Sequence, residues 1–134
     1  MGLLDINLND RAELKLLPDN TEARLAISRV EETPNRKDPS RSNLAVTFTI
    51  PSEPLVDDIR IWIPIPTPEQ READPKAHAK AMMRLEEFLN SFRIQLPCEY
   101  DDMQGKEGWA IIGEGTDQNG NPQNQVRRFL PPRR

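Results

Sequence analysis

Arg60 and Trp62 stand two residues apart in the stretch Ile59-Arg60-Ile61-Trp62-Ile63-Pro64-Ile65, with isoleucine at every alternate position. In a β-strand that spacing puts the guanidinium and the indole side by side, on the face turned away from the isoleucines. Aromatic faces stack unpaired bases and arginines neutralise phosphates, so this pair has the chemistry of a nucleic-acid contact. The plainer alternative is a solvated charge beside an aromatic that covers a small second core. Arg36, Lys37 and Arg41 form a second basic run, in the apolar-free stretch Thr33 to Ser42. Arg127, Arg128, Arg133 and Arg134 form a third, because no acid follows Gln123. The net charge is −4, so the first 122 residues carry −4 − 4 = −8. Whole-chain charge argues against a nucleic-acid partner, but binding follows local potential more than the sum. A basic loop in so acidic a chain favours phosphate contact over simple solubilisation.

Other chemistries lack their residues. Cys98 is the single cysteine, which rules out an internal disulfide and suits a reducing cytosol. One Cys and the lone His78 do not make a zinc site, and His78 on an apolar helix face is more often packing than catalysis. Glu99, Asp101 and Asp102 lack the calcium-loop pattern. Lys106, in Gly-Lys-Glu-Gly, lacks the upstream glycine and the Ser/Thr of a phosphate-binding loop. Ser28, Ser40, Ser42, Ser52 and Ser91 sit in no nucleophile elbow. The expectation is a non-enzymatic protein with no metal and no cofactor. Met1 to Asp10 carries acids and no long apolar run, unlike a signal peptide, and Ile6 breaks the myristoylation pattern. No apolar run approaches the ~20 residues that span a bilayer. These features point to a soluble cytoplasmic protein, in the host cytoplasm if viral, with no membrane partner.

The elements that must position these residues are mostly strands. The 134 residues fit one domain, 1–134, and 13 prolines with 6 glycines suit short strands better than a helical bundle. Residues 1–18 read as an irregular segment in which Leu14, Leu16 and Leu17 pack onto the rest. Glu22 to Glu32 alternates as a first strand with a bulge at Arg29-Val30. Thr33 to Ser42 is a loop, Asn43 to Ile50 a second strand and Ile59 to Ile65 a third, with Pro64 marking an edge or a strand end. Thr67-Pro68-Glu69-Gln70 has the form of a capping box that opens a short helical turn. Residues 75–92 read as the one long helix, with His78, Met82, Leu85, Phe88, Leu89 and Phe92 on one face. Glu99 to Gly105 reads as an acidic loop, and Glu107 to Gly113 as a fourth strand with Trp109 in the core. Asn119-Gly120 marks a hairpin tip before a fifth strand, Gln125 to Leu130. In that strand Phe129 points outward beside Arg127 unless a bulge at Arg127-Arg128 buries it. Residues 131–134 are a basic tail.

The order β-β-β-α-β-β in a mainly β chain fits the OB-fold, a five-stranded partly open barrel with one helix. It binds oligonucleotides on the face of strands two and three and through the loops between strands one and two and between strands four and five. The basic residues fall on those places.

Asn7-Leu8-Asn9-Asp10, Leu14 to Pro18, Arg60-Ile61-Trp62-Ile63, Leu85 to Phe88, Gly105-Lys106-Glu107-Gly108 and Asn124 to Pro131 together give a resemblance that spans nearly the whole chain. The chain resembles a phage replication-module family first catalogued as a domain of unknown function, which is similar to phage OB-fold single-stranded DNA-binding proteins. The resemblance implies a viral protein that protects single-stranded DNA during DNA replication or DNA recombination, without catalytic residues. One departure is the end of the chain. Many such proteins close on an acidic, partner-recruiting tail, and this one closes on Pro131-Pro132-Arg133-Arg134. The expected DNA surface comprises Arg36, Lys37, Arg41, Arg60, Trp62, Arg127, Arg128 and Phe129. Partners would be single-stranded DNA and replication or recombination proteins. An exposed edge after Pro64 or the apolar N-terminal segment would serve a homo-oligomer. The competing expectation is an OB-like protein-interaction adaptor, a virion or recombination accessory protein that binds no nucleic acid.

Overall fold

A computed structural model describes residues 2–133. Its frame is a five-stranded antiparallel sheet in the order β3-β2-β1-β4-β5. The strands are β1 (Thr21–Pro34), β2 (Ser42–Thr49), β3 (Ile59–Pro64), β4 (Glu107–Thr116) and β5 (Pro122–Phe129). Three helices, α1 (Pro68–Ala73), α2 (Pro75–Ser91) and α3 (Tyr100–Met103), separate β3 from β4. The sheet is open among the described residues, since no ladder joins its edges β3 and β5. The two edges nevertheless approach each other, and α2 touches both.

β1 carries this arrangement because two partners share its length. Residues 21–26 pair with β4 and residues 26–34 pair with β2. The handover coincides with a bulge at Ser28, between Ile27↔Phe48 and Arg29↔Thr47. This is one residue before the position the alternation indicates. Ser28 donates its hydroxyl to the Thr47 carbonyl at 3.1 Å. The peptide of Ile27 is satisfied by residues 105 and 106, with Gly105 N–H donating to its carbonyl at 2.7 Å and its own N–H reaching the Lys106 carbonyl at 2.9 Å. The extra residue lets Leu25 and Ile27 face the core on one side of the bulge and Val30 on the other. β1 also runs longer than its apolar residues suggest. Thr33 and Pro34 belong to the strand, paired with Asn43 and Ser42, which shortens the loop to 35–41.

The core is built on the inward residues of β2 and β3, with Leu44, Val46, Phe48, Ile59, Ile61 and Ile63 all buried. All four phenylalanines of the chain meet over it. Phe48 of β2 stacks on Phe92 at 5.4 Å between ring centroids and meets Phe88 edge-on at 6.2 Å. α2 begins where Pro75 follows the cap Asp74, whose carboxylate accepts from Ala77 N–H at 3.1 Å. Its packed side is Ala81, Leu85, Phe88 and Phe92. Met82 was expected there and is exposed instead, because the stripe passes through the small Ala81. The end of α2 lies so close to β4 that a side chain on Gly108 would meet the Ser91 carbonyl at 2.9 Å and the Phe92 ring at 3.1 Å.

Other elements also depart from the alternation. The acidic stretch after Glu99 contains α3, too short to show a period, which buries Met103. β4 extends to Thr116 and β5 starts at Pro122, around a turn in which the Asp117 carboxylate accepts from the N–H groups of Asn119 and Asn121. Among the described residues of the leading segment only Leu17 is buried, while Leu14 and Leu16 stay exposed. Leu17 is fixed through its backbone, which pairs with the buried Asn124 amide in both directions at 2.9 and 3.0 Å.

Gly108→Ala is expected to lower stability by about 1–3 kcal/mol, because the neighbour in the way is partly backbone. Gly113→Ala meets only the movable end of Arg127 and is expected to change stability far less. Urea midpoints of the two variants check the contrast.

Candidate nucleic-acid interface

On the face away from the core, cross-strand pairing sets the side chains of β1, β2 and β3 in rows. Arg29, Thr47 and Arg60 form one row, and Glu31, Ala45 and Trp62 form the next. Ala45 is only 1 % exposed and gives this row a small floor, whereas Trp62 is 50 % exposed. The Arg60 guanidinium lies 5.2 Å from the centre of the Trp62 ring, within cation–π range. Arg60 also donates to Glu31 at 2.7 Å, and Arg29 donates to the other oxygen of the same carboxylate at 3.1 Å. Two guanidiniums thus share one acid, which leaves a net positive charge beside the indole. These pairs are exposed and individually weak, so an incoming anion can compete for them.

The hairpin loop beyond this face is held by its own side chains. Asn35 accepts from the N–H groups of Lys37 and Asp38. Asp38 accepts from the hydroxyl and N–H of Ser40, and those bonds, hydroxyl first, hold its carboxyl below the ordinary value. Arg36 and Lys37 are exposed on the loop and make no ion pair among the described residues. Arg41, the last residue of the loop, is half-buried, and its Nε has no partner among the described residues.

The basic residues of β5 divide. Ile112 pairs with Val126 and Ile111 with Arg128, so Arg127 is the extra residue of a bulge. Arg127 lies flat over Gly113 and pairs with Asp19, whose carboxyl is held below its ordinary value by the Glu114 N–H and then by Arg127. Arg128 is exposed. The same bulge turns Phe129 inward, 5.6 Å from Phe88, 5.9 Å from Phe92 and 6.0 Å from Phe48. Phe129 therefore packs with the core and is not an outer-face stacking residue.

Trp109 moves the other way. It is half-buried on the outer face of β4, paired with Arg24 of β1, and not a member of the core. The Arg133 guanidinium covers it at 4.0 Å and pairs with Glu22. The tail is thus engaged as far as Arg133, and Arg134 lies outside the described residues. The cross-strand neighbours of the two tryptophans, Arg24 and Glu31, lie seven residues apart on β1, about 23 Å along the strand. They serve opposite ends of the outer face rather than one platform.

Two outer-face arginines escaped the sequence reading. Arg29 gains its place only through the bulge at Ser28, and Arg24, paired with Glu107 at 3.0 Å, sits in a stretch that reads as ordinary alternation. Among the described residues, no group of three or more His, Cys, Asp or Glu side chains is gathered to hold a metal ion, and no helix is long and apolar enough to cross a membrane. No protein-family model matches this sequence, and no curated protein matches it significantly.

α3 is tied to the outer end of β1 by the Tyr100 hydroxyl, which donates to Glu32 at 2.6 Å. That bond, followed by partial burial and the Glu32 charge, pushes the phenol from 10.0 up to about 12. A raised acid is stabilised in its protonated form by folding. Its contribution is complete below pH 10 and is lost as pH rises from 10 to about 12. Urea midpoints measured across that window should fall less steeply for Tyr100→Phe than for the wild type.

Proposed function

We propose that the chain is a non-enzymatic single-stranded DNA-binding protein, built on an OB-type sheet, that protects DNA in phage replication or recombination. Five antiparallel strands with their edges curled toward each other are what a partly open barrel of this type would give. The resemblance to the phage replication-module family supports the same reading. The observation that carries it is Trp62, half exposed beside Arg60 on the outer face of an edge strand. A base stacks on the indole, while Arg60, Arg29 and the exposed Arg36 and Lys37 follow the phosphates. Stacking accepts any base, so this contact alone has little sequence preference.

A second reading, a protein-interaction adaptor, is favoured by the exposed Met82, Met83 and Leu96 beside a groove that also holds Leu85 and Leu89. A mobility shift at low salt separates the two, since an adaptor retards no oligonucleotide.

Trp62→Ala is expected to weaken binding of labelled oligo-dT by about 5- to 100-fold, the range that the loss of one stacked base implies. Wild-type affinity should fall with salt, with a log–log slope of about −0.7 for each phosphate neutralised. Equal anisotropy titrations for wild type and variant would remove Trp62 from the site. Glu31→Gln releases Arg29 and Arg60 and should tighten binding about twofold to fivefold at low salt, the scale of exposed ion pairs. A weaker or unchanged affinity would show that these arginines do not face the DNA.

A further inference from the structure

Leu3, Leu4, Ile6 and Leu8 are between 66 % and 89 % exposed. Among the described residues, positions 2–14 make hydrogen bonds only with one another, in the turn from Asn7 to Asp10. A single exposed leucine is ordinary. Four large apolar side chains within six positions form continuous apolar surface, and such surface marks an interaction site. This arm is anchored at its far end. Lys15 N–H donates to the Leu55 carbonyl at 2.9 Å, and Lys15 bridges Val56 in parallel. Because the bridge is parallel, the chain leads back from Lys15 in the direction that leads back from Val56 to Leu55, away from β3.

A second uncovered apolar surface lies past the opposite end of β3. Two adjoining hollows, of about 520 and 600 Å3, share Leu85 and Leu89 of α2 and Leu96. The first runs on to Leu44 and Ile65, and no charged residue lines it. The second runs on to Met83 and is also lined by Glu86 and Glu87. The arm of the same copy is too short to lie along this groove. Leu8 is seven residues from Lys15, at most about 25 Å of chain. Val56 to Ile65 is nine residues, about 30 Å at strand spacing, and the arm sets out the other way. A second copy has no such restriction. Leu4, Ile6 and Leu8 alternate with Asp5 and Asn7. An extended arm therefore lays three apolar side chains on the groove and turns Asp5 away from Glu86 and Glu87.

We propose that Leu3 to Leu8 of one copy seats in the Leu85–Leu89–Leu96 groove of a second copy, so that the protein self-associates through its leading arm. The adaptor reading gives this groove to a foreign protein; here a second copy of the chain fills it. The inference holds whatever the Trp62 face binds.

Light scattering after gel filtration tests it, reading the mass of the 134-residue chain over a range of concentrations. The salt is kept high enough to strip bound nucleic acid. At least twice the monomer mass is expected. The arm variant, Leu4→Asp with Ile6→Asp, and the groove variant, Leu96→Asp, should each fall to the monomer. All three positions are exposed, so the fold is retained, and circular dichroism checks this. Met83→Asp, also at an exposed position, serves as the second groove variant. Mixed in equal amounts, the arm variant and a groove variant should form a species of two copies, because one keeps the groove and the other keeps the arm. A wild type that stays monomeric, with its groove empty or holding its own arm, overturns the proposal. So does an assembly that survives in the arm variant or in both groove variants, and so does a mixture that stays monomeric.

Discussion

The contact between Phe48 and the two phenylalanines at the end of α2 is the interaction on which the other features depend. Phe48 belongs to β2, Phe88 to α2 and Phe129 to β5, with Phe92 closing the helix, so one cluster joins the middle of the sheet, the helix and an edge strand. Tilted and edge-on ring pairs add to the gain from burial, and they work only when each ring holds a defined orientation. The open sheet is thereby drawn around the helix. The opposite surface of β1, β2 and β3 carries the rows of Arg29, Thr47 and Arg60 and of Glu31, Ala45 and Trp62. Gly108 belongs to the same constraint, because the close approach of the α2 end to β4 leaves no space for a side chain there.

The outer surface has a different physics. Its charges are organised in pairs: Arg24 with Glu107, Arg29 and Arg60 with Glu31, Arg127 with Asp19 and Arg133 with Glu22. In a chain of net charge −4, these pairs keep the acidic bulk from presenting one uniform negative field over the strands. A polyanion approaching the sheet would exchange one set of weak, screened contacts for another. The exposed Arg36 and Lys37 stand apart, projecting from a loop stiffened by Asn35 and Asp38.

The strands and the long helix were legible because each has a period that only one arrangement satisfies. The isoleucines of β3 lie buried with Arg60 and Trp62 exposed, as the alternation requires, and Thr67 caps α1 through its hydroxyl. What could not be read was register. In β5 a single extra residue at Arg127 decides whether Phe129 faces the core, and Val126-Arg127-Arg128-Phe129 is compatible with either outcome. Trp109 was misplaced for a related reason. Gly108 to Ile112 carries no polar side chain on either face, so composition could not distinguish inside from outside. The sharing of Glu31 between Arg29 and Arg60 joins residues about thirty positions apart and depends on the bulge at Ser28.

The separation of Trp62 and Trp109 along β1 also has a spectroscopic consequence. They are the only two indoles in the chain, one half exposed and one beneath the Arg133 guanidinium, so intrinsic emission has two sources in different surroundings. A soluble collisional quencher reaches the first more readily than the second. In a chain without Trp62 the residual emission belongs to Trp109 alone, and it reports on the junction of β4, β1 and the carboxyl-terminal segment. One sample then yields an optical record of the outer sheet face and, through the difference, an independent record of whether the far end of the sheet has kept its shape.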